Sequence, residues 1–500
     1  MPASPTGQNH TSGFPRVPRR RWKWLRRGLL LLLIGILLFI LPLRPALVIR
    51  QFPVPSQAES VVVAAGAQYR AGPIQRFLMG GRYRDLWTQP ITVPILDLES
   101  VEGGLRASRE GGGMQTRTLH LVSREGHGFV FRSVDKELTR LAPPGLAHSL
   151  IVGLLQDQAS ASHPASVLMA APLQAAAGLP HTHPRLVVLP DDSLLGAFRS
   201  RYAGMLGVFQ ESPGEIPISQ PRQESLPVRS TVEILPLIEA SPFERIDAHA
   251  FLTARLLDLF LNDWDRHEGQ WRWAGRSEDR DTIWEPIPVD RDQAFAWYDG
   301  VLIRIVRMKI RKLIPFGAEP DLASLTLNSV RLDGRLLGEL TKRDWDSTAS
   351  WLTAQLTDSV IDYAVRQSPE AYWKISGESL ARTLRQRRDR IGSVAGRFYS
   401  MLAARAEVHG TNGAEEVDVR VLSPETVSVQ VHSLLPGGSR RLQFMRVYRA
   451  QETRSIAIHL HGGRDRVMAP GNDRSSIAIT LVDSIGHSMP ARDGGGESTP

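Results

Sequence analysis

Five hundred residues, 42% of them hydrophobic and 22% charged, give enough chain for several domains with real cores and exclude wholesale disorder. The absence of cysteine excludes disulfides, thiolate metal sites and a lipoprotein-type anchor. The formal charge of +8 is a local excess. Nine Arg and Lys precede Glu59, the first acidic residue, and the rest of the sixty are 51 against 52 Asp and Glu, so a nucleic-acid-binding body is not expected.

The chain opens on a polar, basic tail, 1–27, followed by sixteen apolar residues, Gly28–Leu43. Arg44 snorkelling and Pro45–Ile49 in the far interface bring 28–49 to the roughly 20 residues that a membrane span needs. Seven positive charges directly before the run orient the N-terminus to the cytoplasm. The expectation is a single-pass anchor in the inner (cytoplasmic) membrane, with a periplasmic or otherwise extracytoplasmic body. A cleaved signal peptide would need a small-residue site close behind the run, and Ser56-Gln57-Ala58 lies far for that role. Residues 50–58 read as a tether.

Residues 59–229 read as a mixed α/β lobe. Thr118–Val122 and Phe129–Val134 alternate around Arg124-Glu125-Gly126-His127-Gly128, the pattern of a β-hairpin. A glycine run, Gly111-Gly112-Gly113, lies upstream. A helix is predicted after Pro144, with Leu146, Leu150 and Leu154 at helical spacing and Asp157 on the same face. Arg185–Leu189 and Ala203–Phe209 read as buried strands, and 213–229 as a Pro/Ser-rich linker. His181 and His183 are two apart in a Pro-flanked loop, but no third ligand is evident, so both read as structural.

Residues 230–410 read as a mainly helical lobe. Asp247 caps a helix to Asn262 whose apolar face is Leu252, Leu256, Leu259 and Phe260. Two strands follow, 270–274 and 282–290, joined by a polar turn over 275–281. Pro286 and Pro288 lack donors on one strand edge, which should be unpaired. Val301–Ile314 carries Arg304, Arg307, Lys309, Arg311 and Lys312, a solvated basic face or a dock for an anionic headgroup. Helical periodicity resumes over 345–367 and 377–406, and Arg382–Arg390 reads as a solvated basic stripe. Residues 411–490 change to short alternating strands, a small separate β-domain in which His459 and His461 again lack a further ligand.

The chemistry concentrates at the two ends of the central hairpin. Residues 262–270 carry Asp263, Asp265, His267, Glu268 and Gln270, and residues 289–295 carry Asp290 and Asp292. A hairpin brings its ends together, so these groups can share one small volume. A carboxylate that takes a proton from an attacking hydroxyl, beside oxygen ligands for a hard cation, is the kit for metal-assisted phosphoryl transfer. Asp265 suits the first role; Gln270 with Asp290 or Asp292 suits the second, and His267 suits bracing the loop. Arg132, at a strand end, or Lys136 just after it suits phosphate contact, with Asp157 as an acidic partner for Arg132. The same residue types also fit a charged surface hairpin with Asp265–Arg266 and Asp290–Arg291 pairs.

Asp265-Arg266-His267 with Gln270 three residues on, then Val289-Asp290 after a hairpin, resembles the catalytic and metal-binding loops of atypical kinases. These are the phosphatidylinositol kinases, HipA-type kinases and secretory-pathway kinases, whose pattern is Asp-Arg-His-x-x-Asn followed by a strand ending in Asp. The resemblance implies an α+β, two-lobed, atypical protein-kinase-like body that binds ATP with Mg²⁺ or Mn²⁺. It implies that Asp265 is the catalytic aspartate, with His267 in the same catalytic loop. Gln270 then replaces the second-metal Asn, and Asp290 takes the place of the Asp-Phe-Gly aspartate. Arg132 and Lys136, with Asp157, would serve the nucleotide, and Gly111, Gly112 and Gly113 would cover phosphates. The sequence departs from the pattern in Gln for Asn, in having no Asp-Phe-Gly and in having no unambiguous nucleotide lysine. The stretch 100–480 also resembles an uncharacterised bacterial envelope family whose members often add a calcineurin-like phosphoesterase in front and a β-barrel behind. Shared segments include Arg132–Lys136, Gln158–Pro164 and His181–Pro184. The expected activity is phosphoryl or nucleotidyl transfer to an unknown protein or envelope substrate. The alternatives are a non-catalytic envelope scaffold and adhesion through the β-domain.

Overall fold

The computed structural model describes residues 49–55, 58–112, 115–137, 150–215, 227–469 and 475–482, with parts of 23–35 and short strands at 488–490 and 496–497. Among the described residues no helix is long and apolar enough to cross a membrane. Much of the expected anchor, residues 36–48 above all, lies outside them, as do 138–149 and Gly113.

The chain is a mixed α/β assembly. A two-stranded ribbon, β1 (Ser60–Ala64) with β2 (Pro90–Pro94), brackets helices α1 (Pro73–Met79) and α2 (Arg84–Thr88). A five-stranded antiparallel sheet follows: β3 (Leu105–Gly111), β4 (Thr118–Ser123), β5 (Gly128–Ser133), β6 (Arg185–Val188) and β7 (Leu206–Glu211), in the order β3-β4-β5-β7-β6. The expected hairpin is present, with Thr118 opposite Arg132 and Val122 opposite Gly128. Helices α3 (Leu150–Asp157) and α4 (Ser166–Ala176) connect β5 to β6. Strand alternation decides which face Arg132 takes. Phe129 and Phe131 enter a core with Leu105, Leu119, Leu121 and Phe209, so Arg132 emerges on the opposite face.

The second lobe begins with β8 (Arg229–Ser230), α5 (Thr231–Ala240), β9 (Glu244–Ile246) and α6 (Ala248–Leu261). Asp247 caps α6 as expected, its carboxylate accepting from Ala250 N at 2.9 Å. The helix is not amphipathic, however. It is buried nearly all round, Arg255 and Asp258 included, because α6 runs through the centre of the largest core. The central hairpin, β10 (Trp271–Glu278) with β11 (Asp281–Pro288), is tighter than its polar sequence implied. Residues 275–278 continue the strand, and Asp279 takes a left-handed φ of 53° at the turn. β9 pairs with β11 only over Thr282–Trp284, so Pro286 and Pro288 lie beyond that ladder, where a missing N–H costs nothing.

Helices α7 (Val301–Arg307), α8 (Val330–Leu336), α9 (Lys342–Gln355), α10 (Asp358–Arg366), α11 (Glu378–Arg388) and α12 (Ile391–Ala403) complete this lobe. The 382–390 stripe is not wholly solvated: Arg387 is buried and donates to Leu259 O and Gly317 O, each at 2.7 Å. The β-domain packs two sheets around one aliphatic core. One sheet contains β12 (Arg405–His409), β16 (Ser455–His459), β18 (Ala478–Val482) and β19 (Ser488–Pro490). The other contains β13 (Glu415–Ser423), β14 (Thr426–Leu434), β15 (Arg440–Arg449), β17 (Arg466–Met468) and β20 (Gly496–Glu497).

Candidate active site

The ends of the β10–β11 hairpin are locked together by backbone and by one guanidinium. Val289 N donates to Gln270 O at 3.1 Å. Arg266 donates from Nη1 to Val289 O at 2.7 Å and from Nη2 to Gln270 O at 2.9 Å. The 263–270 loop and the 289–295 loop therefore sit side by side. The second loop carries left-handed φ angles at Asp290 (61°) and Phe295 (62°), a concentration of strain that surrounding structure must hold in place.

That hold is a buried charge cluster which reasoning from neighbouring residues missed. Arg266 and Arg291 do not pair with Asp265 and Asp290, their sequence neighbours. They turn inward to Asp258 and Asp263: Arg291 bonds Asp258 and, at 3.0 Å, Asp263, while Arg266 Nε lies 3.4 Å from Asp258. Arg255 pairs with Asp258 and, at 2.7 Å, with Asp333, which accepts from Ser329 Oγ. Three guanidiniums thus meet three carboxylates in a site closed to water, a balance that buried ions require. Arg255 at the third position before Asp258 was a signal in the sequence, since no apolar helix face tolerates two unpaired ions.

With their arginines drawn into the core, Asp290 and Asp292 line the cleft between the lobes, and Asp265 lies within electrostatic reach of Asp292. Arg132 forms an ion pair with Asp290, and Lys136 Nζ lies 2.8 Å from Asp292 Oδ2. The two carboxylates are 22% and 27% exposed, enough to open on a cleft also lined by Thr116, His163 and Gln210. The Gln270 side chain bonds Asp290. Asp265 accepts from Asn328 Nδ2 at 3.3 Å, and its charge reaches both Asp292 and Tyr298. The electrostatics separate the two loop carboxylates. Burial pushes Asp290 up, but the Arg132 guanidinium, together with Lys136 and the Gln270 amide, outweighs it and holds Asp290 below the usual carboxylate range. Asp292 is raised by burial and by the charges of Asp290 and Asp265, which together exceed the pull of Lys136. Burial likewise lifts the Tyr298 phenol to about 12.

Other expected residues fall elsewhere. Asp157 does not bridge to Arg132. Its carboxylate is held by Arg84 at 2.8 and 2.5 Å and by Gln75 at 3.1 Å, and it lies under α2 rather than in the cleft. Arg132, 25 residues before Asp157 in sequence, meets Asp290 instead because its strand face is turned to the second lobe. Gly111 closes β3 opposite Thr118, and Gly112 follows it with φ 108°, where a Cβ would meet Thr118 Oγ1 at 2.4 Å. Thr116, which precedes β4, lines the cleft, and the two glycines do not. His267 is exposed and accepts from Gly269 N at 3.0 Å, bracing its loop. His181 bonds Leu179 O and His183 bonds Glu211, local contacts of a structural kind.

The segment Gln158–Pro164 proves to be part of the site's wall. Ala161 O accepts from Trp297 N at 2.8 Å, Ser162 O from Trp87 Nε1 at 2.9 Å, and His163 packs edge-on to Tyr83 and Tyr372. Full burial depresses His163 to about 3, so it is a neutral wall of the cleft and no proton acceptor at neutral pH. Lys136 is placed by its neighbours: Asp135 Oδ1 accepts from Lys136 N at 2.8 Å and from Tyr69 OH at 2.6 Å, and Gln156 donates to Lys136 O.

No protein-family profile and no curated protein matches the chain. Among solved structures it is similar to the Helicobacter pylori proinflammatory kinase CtkA, at 12% identity and a TM-score of 0.32 over 59% of this chain and 95% of that one. It is similar to HipA in the Shewanella oneidensis MR-1 complex of HipA, HipB and operator DNA, at 12% identity and a TM-score of 0.31 over 70% and 76%. It is also similar to the Golgi casein kinase, at 8% identity and a TM-score of 0.29 over 68% and 84%.

Proposed function

We propose that this chain is a kinase-like phosphotransferase that uses ATP with Mg²⁺ or Mn²⁺, held to a membrane through residues 28–49 with its body outside the cytoplasm. The observation that carries the reading is the convergence of Asp265, Asp290, Asp292 and the Gln270 amide, from both ends of one hairpin, opposite Arg132 and Lys136 from the other lobe. The donors are hard oxygens, and three carboxylates against two cations leave negative charge in excess, which fits a divalent ion. Such an ion, when bound, neutralises charge on the transferring phosphoryl group. Asp290, Asp292 and Gln270 would hold it. Arg132 and Lys136 would exchange their carboxylate partners for phosphate oxygens. Asp265 would orient the acceptor hydroxyl and take its proton, a role suited by its place beside but outside the two ion pairs.

A second reading is favoured by those same pairs. Each cleft cation is satisfied by a carboxylate of the chain itself, as in a scaffold that keeps the architecture without turnover. The test is thermal shift and self-phosphorylation with Mg²⁺–ATP and Mn²⁺–ATP. The phosphotransferase should melt higher with nucleotide and metal. Asp265→Ala should abolish phosphate transfer while keeping that shift, and Asp290→Ala should remove its metal-dependent part. No shift with any nucleotide–metal pair leaves the scaffold.

A further inference from the structure

Far from the cleft, the β-domain and the helical lobe meet around three histidines. Strand pleating puts Glu407 and His409 on one face of β12, and the parallel pairing of β12 with β16 sets His459 directly beside His409. Their rings stack with centroids 4.4 Å apart and 4° between planes. His461, two residues on, presents Nε2 to His409 Nδ1 at 3.0 Å, and its own Nδ1 lies 3.9 Å from Glu239 Oε1 on α5. The sequence offered His459 and His461 with no third ligand; the strand register supplies His409 and Glu407.

His409 Nε2 faces Glu407 Oε2 at 3.4 Å. With His409 Nε2 directed to a metal ion, its Nδ1–H would donate to His461 Nε2, whose Nδ1 lies on the side of Glu239. His459 Nε2 is buried with no hydrogen-bond partner. Ligand atoms of Glu407, His409 and His459 all lie within 4.8 Å of one another. Ligand atoms this close together, one of them a buried imidazole nitrogen without a partner, suit a shared cation. Two imidazoles and a carboxylate are a borderline donor set, matched to zinc-class divalent ions and poorly to magnesium. A ligating imidazole whose other N–H is held by a second acceptor is the usual support of such a centre. The loop after β12 reaches α5 as well, Asn412 N donating to Glu239 O at 2.6 Å, so the site sits where the β-domain is clasped to the helices.

We infer that Glu407, His409 and His459 bind one zinc-class divalent metal ion at the junction of the β-domain and helical lobe, with His461 as a positioning residue. The site is independent of the cleft and of its proposed activity. The test uses the full chain, stripped with chelator and titrated with Co²⁺, then Zn²⁺. One equivalent of Co²⁺ should give visible d–d absorption that Zn²⁺ displaces and Mg²⁺ does not. His409→Ala and His459→Ala should each abolish the band. His461→Ala should keep the stoichiometry but weaken affinity about 10–100-fold. Glu407→Gln, at a partly exposed side chain that can be changed without unfolding β12, should weaken Co²⁺ binding at least about tenfold. A featureless titration of the unaltered chain would overturn the inference and leave a hydrogen-bonded histidine cluster. So would a band that survives unchanged in Glu407→Gln and His409→Ala.

Discussion

Arg266 is the residue on which the arrangement of the two loops depends, and Arg266→Met isolates its charge. The guanidinium has no exposed surface, stacks over Trp271 at 4.6 Å, holds two loop carbonyls and faces Asp258 and Asp263. Methionine keeps much of the apolar stem over the indole but leaves three buried carboxylates against two guanidiniums. Breaking a buried ion pair by removing one partner costs about 3–5 kcal/mol. At about 2–4 °C per kcal/mol for a unit of this lobe's size, the melting temperature should fall by about 6–20 °C. Acidity should modulate the loss. Burial raises Asp263 to about 6, while Arg266 and Arg291 pull it down, so removing Arg266 raises it further. A carboxylate with a raised folded pKa keeps its proton longer folded than unfolded, so stability falls as pH rises through that value. The deficit of Arg266→Met should therefore be greatest near pH 8 and shrink toward pH 5. Asp263→Asn added to Arg266→Met restores the charge balance and should recover much of the loss. Melting curves of the three proteins across that range read all of this. A loss below about 1 kcal/mol, or a deficit that grows on acidification, would show that the cluster is not a closed set of compensating charges.

Two further outcomes follow from groups flanking the cleft. Burial lifts Asp135 to about 6, so its ionisation lowers stability between about pH 4 and 6. Asp135→Asn should raise the melting temperature at pH 8, by an amount corresponding to at most about 3 kcal/mol, and have little effect at pH 5. The amide can still accept from Tyr69, and Gln68, whose Oε1 is buried without a partner, can rotate to accept from it; equal shifts at both pH values would refute this account. Asp157→Asn leaves Arg84 buried beside a neutral amide and should destabilise the chain by about 3 kcal/mol. If Asp157 is structural, that variant keeps the metal-dependent nucleotide shift; selective loss of the shift at unchanged melting temperature would return Asp157 to the nucleotide site.

Local signals were the legible ones. Turn glycines marked the β4–β5 hairpin, Asp247 marked the start of α6, and two acidic loops flanking alternating strands marked the hairpin whose ends build the cleft. Partner choice was not legible, because it belongs to lobe packing. Nothing near Arg132 announces Asp290, and nothing near Arg255 announces Asp333. The helical period of Leu252, Leu256 and Leu259 named one face of α6 and hid the opposite one, which is buried too because its ions find partners on other elements. The β-domain histidines were seen in pairs, since only parallel register brings His409 beside His459.

Both acidic loops use one device, and it explains their mutual position. Each carries Asp followed by Arg, and in each the arginine turns into the core while its aspartate stays outside the buried cluster: Asp290 meets Arg132 and Asp265 meets Asn328. Both arginines end on Asp258, one turn before the end of a helix that the largest core holds rigid. The spacing between Asp265 and the Asp290–Asp292 pair is consequently set by the buried Asp258. Beyond Arg291 the chain turns outward again, so that Asp292 meets Lys136 as Asp290 meets Arg132, and the pairing of both carboxylates with the first lobe depends on where Asp258 holds Arg291.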